Sequence, residues 1–423
     1  MRTPLLRPAS LLPLLFVASA ACARGPAPSD PATRAATGEQ LFNDATFDGN
    51  GRTCSTCHDL AAFGTLTPER IQALFARDPR GPLFRALDGD EGLGASFERL
   101  RDHATIRVAI ELPPDPTTGL AVRRCDAPRE SVVTFHRGIP TVFNASLDGN
   151  LMADGREGAN LEVQALNAIL SHAEPRRTPD ADELSAMAEL ERSLVSNDII
   201  LRSFRQGDIL RPPPGNTESE IRGSSFFQPD RACGLCHSGP LMNRTSGRHP
   251  TTISFDFASS LVGQEADNPN PKHDWCFVAP TSDQVVTGPN GSEHVFDAPA
   301  ADPGAAALPG FKVYVTTDDR LDTIPNIELP ELVGGPPFKI PILWGVASTA
   351  PYFHDNSAKR LEDVVDQYNF VFASMPALAV AAGCDPRRAR CFDERDKADI
   401  VAYLKLLTFD GAGVRAPGGA FGP

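Results

Sequence analysis

After its first twenty or so residues the sequence has no uninterrupted apolar run of about 18 residues, the length a membrane-spanning helix needs, so no later segment is a candidate span. It also has no excess or cluster of positive charge. Lys and Arg number 40 against 54 Asp and Glu, for a formal net charge of −14, and the basic residues are scattered. That distribution argues against nucleic acid and against an anionic lipid surface as partners, because both are bound through concentrated Lys and Arg. A cationic protein partner suits it better, alongside the plain solubility that any acidic surface gives.

What is present begins with a leader. Arg2 and Arg7 precede an apolar stretch from Leu11 to Ala18, and small residues follow, ending Ser19-Ala20-Ala21-Cys22. Residues 1–21 therefore read as a signal peptide, too short in its apolar part for a stable anchor. The small-small-Cys ending is similar to a bacterial lipoprotein cleavage site with Cys22 lipidated; cleavage after Ala20 or Ala21 is the alternative. Either route predicts an exported, periplasmic protein.

Cysteine usage agrees with that compartment. Of nine Cys, four lie in two Cys-x-x-Cys-His motifs and one is Cys22. The remaining Cys125, Cys276, Cys384 and Cys391 form an even set, expected to pair as Cys384–Cys391 across a short loop and Cys125–Cys276 by elimination.

The two motifs are Cys54-Ser-Thr-Cys57-His58 and Cys233-Gly-Leu-Cys236-His237. Two thiols three positions apart at a helix start reach the two vinyl groups of a haem, and the adjacent His reaches the iron from the same face. Composition alone would produce such a motif about 0.004 times in this chain, so two copies are no accident. A zinc site or a redox Cys-x-x-Cys is the alternative; the directly attached His and the export signal favour two covalent c-type haems. The sixth iron position then decides between electron transfer and ligand chemistry. Spacing does not choose a further ligand among His103, His136, His172, His249, His273, His294 and His354.

A length of 423 residues with two such motifs predicts two domains. Asp208-Ile-Leu-Arg-Pro-Pro-Pro-Gly-Asn216 reads as the linker, between an N-terminal haem domain over 36–207 and a C-terminal one over 217–410. A Gly followed by two apolar residues precedes each motif at matching spacing, Gly38 to Phe42 and Gly223 to Phe227, which predicts a duplicated unit entered by an amphipathic helix. Thr67-Pro68 and Thr178-Pro179 read as helix starts. Leu184, Met187, Leu190 and Leu194 keep helical spacing after the second start, and Ile400, Val401, Leu404 and Leu407 keep it after Asp393. Residues 240–350, rich in Pro, Gly, Asn and Asp, predict long loops with short strands, and residues 66–135 read as an insertion or divergent loop. The class is mainly α, two cytochrome c-like domains in tandem with long loops.

Together with Gly38-Glu-Gln-Leu-Phe42, the segments Arg137-Gly-Ile-Pro-Thr-Val-Phe-Asn144, Asp154-Gly-Arg156 with Leu161 and Gln164, and Thr349-Ala-Pro-Tyr-Phe-His-Asp355 resemble the bacterial di-haem cytochrome c peroxidase and MauG family. The resemblance extends in pieces from Gly38 to about Thr408. It implies that the N-terminal haem is peroxidatic, reducing hydrogen peroxide, with His58 as its proximal ligand. The C-terminal haem, on His237, would relay electrons from a small cytochrome c or cupredoxin. By the family's spacing Glu174 is the distal acid–base catalyst, with Gln164 beside it and His172 as a further acid–base or capping group. The relay haem's second ligand falls on Tyr368, a position that is Met in typical peroxidases and Tyr in MauG; Tyr368 is otherwise a core tyrosine, and Met375 is then the alternative ligand. A MauG-like oxidase of a partner protein, or a di-haem electron carrier without turnover, are the competing readings. Three departures stand out: Ala153 replaces the aromatic residue between the haems, Ala168 replaces a Pro, and Gly138 replaces the Asn of an interdomain calcium site that otherwise matches at Thr349 and Pro351.

Overall fold

The computed structural model describes residues 30–243 except 117 and 207–209, residues 257–259, residues 270–307 except 290, 297 and 298, residues 337–409 except 375–378, 381, 386 and 389, and residues 414–415. The leader, Cys22 and Met375 lie outside the described residues.

The architecture is helix-rich. The helices are α1 (Pro31–Asp44), α2 (Cys54–Cys57), α3 (Pro68–Arg77), α4 (Glu98–His103), α5 (Leu161–His172), α6 (Ala181–Ser193), α7 (Asp198–Gln206), α8 (Glu218–Ser225), α9 (Leu361–Ser374) and α10 (Glu394–Leu404). Short strands join them: β1 (Thr105–Glu111), β2 (Ala121–Arg124), β3 (Val132–Gly138), β4 (Leu194–Val195), β5 (Phe257–Ser259), β6 (Trp275–Ala279), β7 (Gln284–Val285), β8 (Pro337–Lys339) and β9 (Val414–Arg415). Among the described residues they form four small antiparallel sheets, β1 with β3, β2 with β6 and β7, β4 with β9, and β5 with β8.

Two helix crossings organise the molecule, and they are alike. α1 is started by Asp30, whose Oδ1 accepts from the amides of Ala32 and Thr33 at 3.0 and 3.1 Å. It buries Phe42 and packs on α6, with Gly38 lying directly over the Ala186 carbonyl. α8 packs on α10 in the same manner, with Gly223 directly over the Asp399 carbonyl. α10 is fixed at its start by a reciprocal cap between Asp393 and Asp396 and buries Ile400, Val401 and Leu404. The duplication expected from the Gly38 and Gly223 spacing is thus present in the packing.

It extends well beyond the helices. The amide of Asn144 donates to the Leu194 carbonyl at 3.0 Å, and the amide of Gly345 donates to the Leu407 carbonyl at 2.8 Å. Asn144 and Gly345 are both left-handed, at φ 64° and 91°. The halves also exchange contacts. Gly138 donates to the His354 carbonyl at 2.8 Å, while Lys339, which precedes Ile340-Pro341 as Gly138 precedes Ile139-Pro140, donates to the Ala153 carbonyl at 2.9 Å. Exchange of one contact in both directions is the mark of an approximate two-fold relation.

Several local expectations change. The helix predicted from Thr178-Pro179 starts at Ala181 instead, because Asp180 and Glu183 form a reciprocal cap that outcompetes the threonine. Residues 66–135 are not a loop. Thr67 does cap α3, and Ile71, Phe84, Phe97 and Leu100 bury a small core there, beside which β1 pairs with β3 over its whole length. Both expected disulfides are formed, Cys125–Cys276 and Cys384–Cys391. Residues 210–216, between α7 and α8, carry neither helix nor strand.

Candidate functional site

Each Cys-x-x-Cys-His motif closes a single tight turn. The amide of His58 donates to the Cys54 carbonyl at 2.9 Å and that of His237 to the Cys233 carbonyl at 2.8 Å. The ring nitrogen Nδ1 of His58 stands 3.0 Å from the Gly64 carbonyl, and Nδ1 of His237 stands 3.1 Å from the Met242 carbonyl. A carbonyl only accepts, so Nδ1 carries the proton in both rings and Nε2 is left as the ligating atom. Burial keeps both imidazoles neutral, the form a metal binds: it lowers the pKa of His58, and it pushes that of His237 down to about 4.

The four thiols of the motifs are in no disulfide, whereas Cys125, Cys276, Cys384 and Cys391 all are. Burial, with Glu191 and Cys57 adding, pushes the Cys54 thiol up to about 12; burial likewise takes Cys57 to about 11 and Cys233 to about 12. A redox Cys-x-x-Cys needs the opposite, a depressed thiol pKa. Two pairs of reduced, half-buried thiols packed against apolar side chains, each pair with an imidazole already fixed at the next position, fit covalent haem attachment. Cys54 lies among Phe42, Phe47, Ile169 and Met187, and Cys233 and Cys236 lie in the large C-terminal core.

The remaining residues expected around the first site come together through a strap that sequence reasoning missed. The segment just before Cys54 is bound to the end of α5. The Asn50 amide donates to the Ala173 carbonyl at 2.8 Å, and its side-chain Nδ2 donates to the His172 carbonyl at 2.9 Å and to Glu174 Oε2 at 3.0 Å. Arg52 reaches the His172 carbonyl at 3.3 Å and forms a buried ion pair with Asp88 at 2.5 Å. His172 and Glu174 are therefore held beside the Cys54 motif despite their distance along the chain. The Asn-Gly-Arg preceding the motif was the available signal, and it is too short to read as such.

Gln164, Ala168 and His172 share one face of α5, spaced four apart. The His172 Nδ1 is buried without a hydrogen-bond partner, and burial, against the pull of Asp88, pushes its pKa down to about 4. Gln164 Nε2 approaches the Met152 sulfur at 3.8 Å. Glu174 is exposed and sits at φ 46°, a left-handed conformation costing about 1–2 kcal/mol for a residue with a Cβ.

At the second site Tyr368 packs in the core that contains Cys233 and Cys236, and burial raises the pKa of its phenol. Met375 lies outside the described residues. Ala153 leaves no aromatic ring before Asp154; its counterpart His354 is buried and stacks on Phe338, ring centroids 3.8 Å apart. At the place of the family's calcium site, the Asn356 amide fills the space beside Gly138 and donates to the carbonyls of His103 and Ala104 at 3.0 Å each.

Residues 32–206 match the family model of the di-haem cytochrome c peroxidases. Among curated proteins none matches the sequence. Solved structures similar to the chain include a MauG-like protein associated with microbial copper homeostasis, at 17% identity over 90% of each chain with a TM-score of 0.47. They also include the di-haem peroxidase BthA from Burkholderia thailandensis E264, at 15% identity over 91% of this chain and 87% of that one with a TM-score of 0.41.

Proposed function

From the match of residues 32–206 to the family model of the di-haem cytochrome c peroxidases, we propose that this chain is an exported oxidoreductase that reduces hydrogen peroxide to water at its N-terminal site. Two electrons would come through the C-terminal site from a small, cationic cytochrome c or cupredoxin, a partner suited to the net charge of −14. The observation that carries the reading is the strap from Asn50 and Arg52, which sets His172 and Glu174 beside the Cys54 motif.

Haem held by Cys54, Cys57 and His58 supplies the electron-accepting and peroxide-reducing centre when bound, and haem held by Cys233, Cys236 and His237 supplies the relay. The chain's own residues supply the proton chemistry. Peroxide takes up two electrons and two protons and leaves as two waters, so one group must accept a proton from one oxygen and return it to the other. Glu174 has one carboxylate oxygen fixed by Asn50 Nδ2, which leaves Oε1 for that exchange. His172 offers a buried, unpartnered Nδ1, and the amide of Gln164 adds a donor. The leader, with lipidation at Cys22 as its variant, and the two disulfides support export.

A second reading is favoured by Tyr368. A phenol in the core around Cys233 and Cys236 would offer the relay iron an oxygen ligand in place of a thioether, which would stabilise the oxidised iron. That suits a MauG-like enzyme in which peroxide oxidises a side chain of a partner protein. Steady-state peroxide consumption with a reduced cytochrome c donor separates the readings and tests Glu174: the wild type turns over, and Glu174→Gln loses about 10²-fold or more in kcat. Equal rates in the two proteins would remove Glu174 from the mechanism, and a wild type that consumes no peroxide with any reduced donor leaves the partner-protein oxidase.

A further inference from the structure

The two halves present equivalent helices to their two sites. α5 and α9 begin on Leu161 and Leu361 and follow equivalent turns. Met152 and Gly155 before α5 are left-handed, at φ 69° and 70°, and so are Phe353 and Asn356 before α9, at 72° and 58°. Asp154 and Asp355, inside those turns, are both fully buried.

Counted from the two leucines, burial matches at four positions and departs at Ser171, which is exposed where Val371 is buried. Leu161 and Leu361, Ala165 and Val365, and Ile169 and Asn369 are buried, while Leu170 and Phe370 are exposed by 49% and 52%. In this register Gln164, Ala168 and His172 stand where α9 has Val364, Tyr368 and Phe372. On α9 that face is closed: Tyr368 and Phe372 pack in the core that holds Cys233 and Cys236. On α5 it is polar at both ends and carries a single methyl group in the middle, where α9 has a phenol. His172, at the far end of that face, has a buried Nδ1 without a hydrogen-bond partner.

We propose that Ala168 is the residue that keeps the N-terminal site open to a small ligand, by leaving unfilled the volume that Tyr368 fills in the C-terminal half. Gln164 and His172, one turn before and after it, border that volume and supply its polar groups. The difference between a reactive site and a closed one then resides in one position of a duplicated helix. This rests on the reading of His58 and His237 as haem ligands.

The test uses the haem-loaded ferric protein, its absorption and paramagnetic resonance spectra, and titration with cyanide. The wild type shows one high-spin and one low-spin haem and binds one cyanide per chain. Ala168→Phe fills the volume without an oxygen ligand and lowers cyanide affinity at least about tenfold; Ala168→Tyr in addition converts the high-spin haem to low-spin. Tyr368→Ala is the mirror experiment and yields a second high-spin haem and a second cyanide. Wild-type cyanide affinity in both Ala168 variants overturns the proposal, whatever the peroxidase rate. If either variant fails to fold, the other together with the cyanide stoichiometry of Tyr368→Ala decides, one cyanide counting against the proposal and two for it. A wild type with two low-spin haems that binds no cyanide removes instead the reading of an open N-terminal site on which it rests.

Discussion

Gly38 on α1 lies so close to the carbonyl of Ala186 on α6 that a Cβ at position 38 would overlap the oxygen. Gly223 stands in the same relation to Asp399 where α8 crosses α10. Each glycine is followed by the helix end that leads into a Cys-x-x-Cys-His motif, so each crossing sets where its motif begins. Glycine costs a helix interior about 1 kcal/mol relative to alanine, and at these two places the close approach of the helices requires it.

Substitution by alanine would regain that ~1 kcal/mol of helix propensity and lose more to overlap with a backbone carbonyl, which is unable to rotate aside as a side chain does. Gly38→Ala and Gly223→Ala should each lower stability by about 2 kcal/mol net, measured by urea unfolding of the haem-loaded protein. Because the crossings are separate, the double variant should lose close to the sum. A stabilising effect at either position would show that the helices there have room to part.

Arg137 carries a second prediction. Its guanidinium donates to both oxygens of Asp302, at 2.7 and 2.9 Å, and to Asp154 at 2.6 Å, with all three groups buried. Burial opposes its charge, and the two carboxylates outweigh burial and raise its pKa. It stands immediately before Gly138-Ile139-Pro140, the strand end that reaches across to His354, and it fixes the turn at Asp154 from which α5 starts. Lysine keeps the charge but not the fork, so Arg137→Lys leaves one carboxylate without its paired donors and should cost roughly 3 kcal/mol. It should also broaden the optical signature of the N-terminal haem. Stability within 0.5 kcal/mol of the wild type would show that lysine reaches both carboxylates.

Much of this was readable in the sequence because it is local. The two motifs, the cap at Thr67, the apolar spacing after Asp393 and the matched glycines each occupy a few consecutive residues, and the chemistry of each is complete within them. The start of α6 was misplaced because Asp180 and Thr178 are both good caps, and Glu183 decides between them through a reciprocal bond. The strap from Asn50 and the exchange between Gly138 and His354 leave no mark in composition or periodicity, since they run largely through backbone carbonyls far apart along the chain. The equivalence of Ala168 and Tyr368 lay between these cases: both helices are visible as patterns, but the loops before them differ in length, and only the buried turns fix the register.

His136 makes the molecule's stability depend on pH. It lies on β3 opposite Arg107, it is 3% exposed, and the Asn270 amide clamps its backbone from both sides at 2.6 and 2.8 Å. Burial first, with Arg99 adding, pushes its pKa from 6.5 down to about 4, while Asp90 and Asp88 pull weakly the other way. The folded protein therefore resists a proton that the unfolded chain accepts. The stability contributed by the neutral ring is full above pH 6.5 and is lost as pH falls from there towards about 4. At 1.36 kcal/mol per pKa unit the loss between pH 7 and pH 4.5 is about 2 kcal/mol. His136→Leu removes the titration without removing the apolar packing, so its stability should fall by about 2 kcal/mol less than the wild type over that interval. Urea unfolding at the two pH values measures both proteins, and because every other acid-sensitive group is common to them, the difference isolates His136. Equal losses would mean that the ring is protonated alike in the folded and unfolded chains.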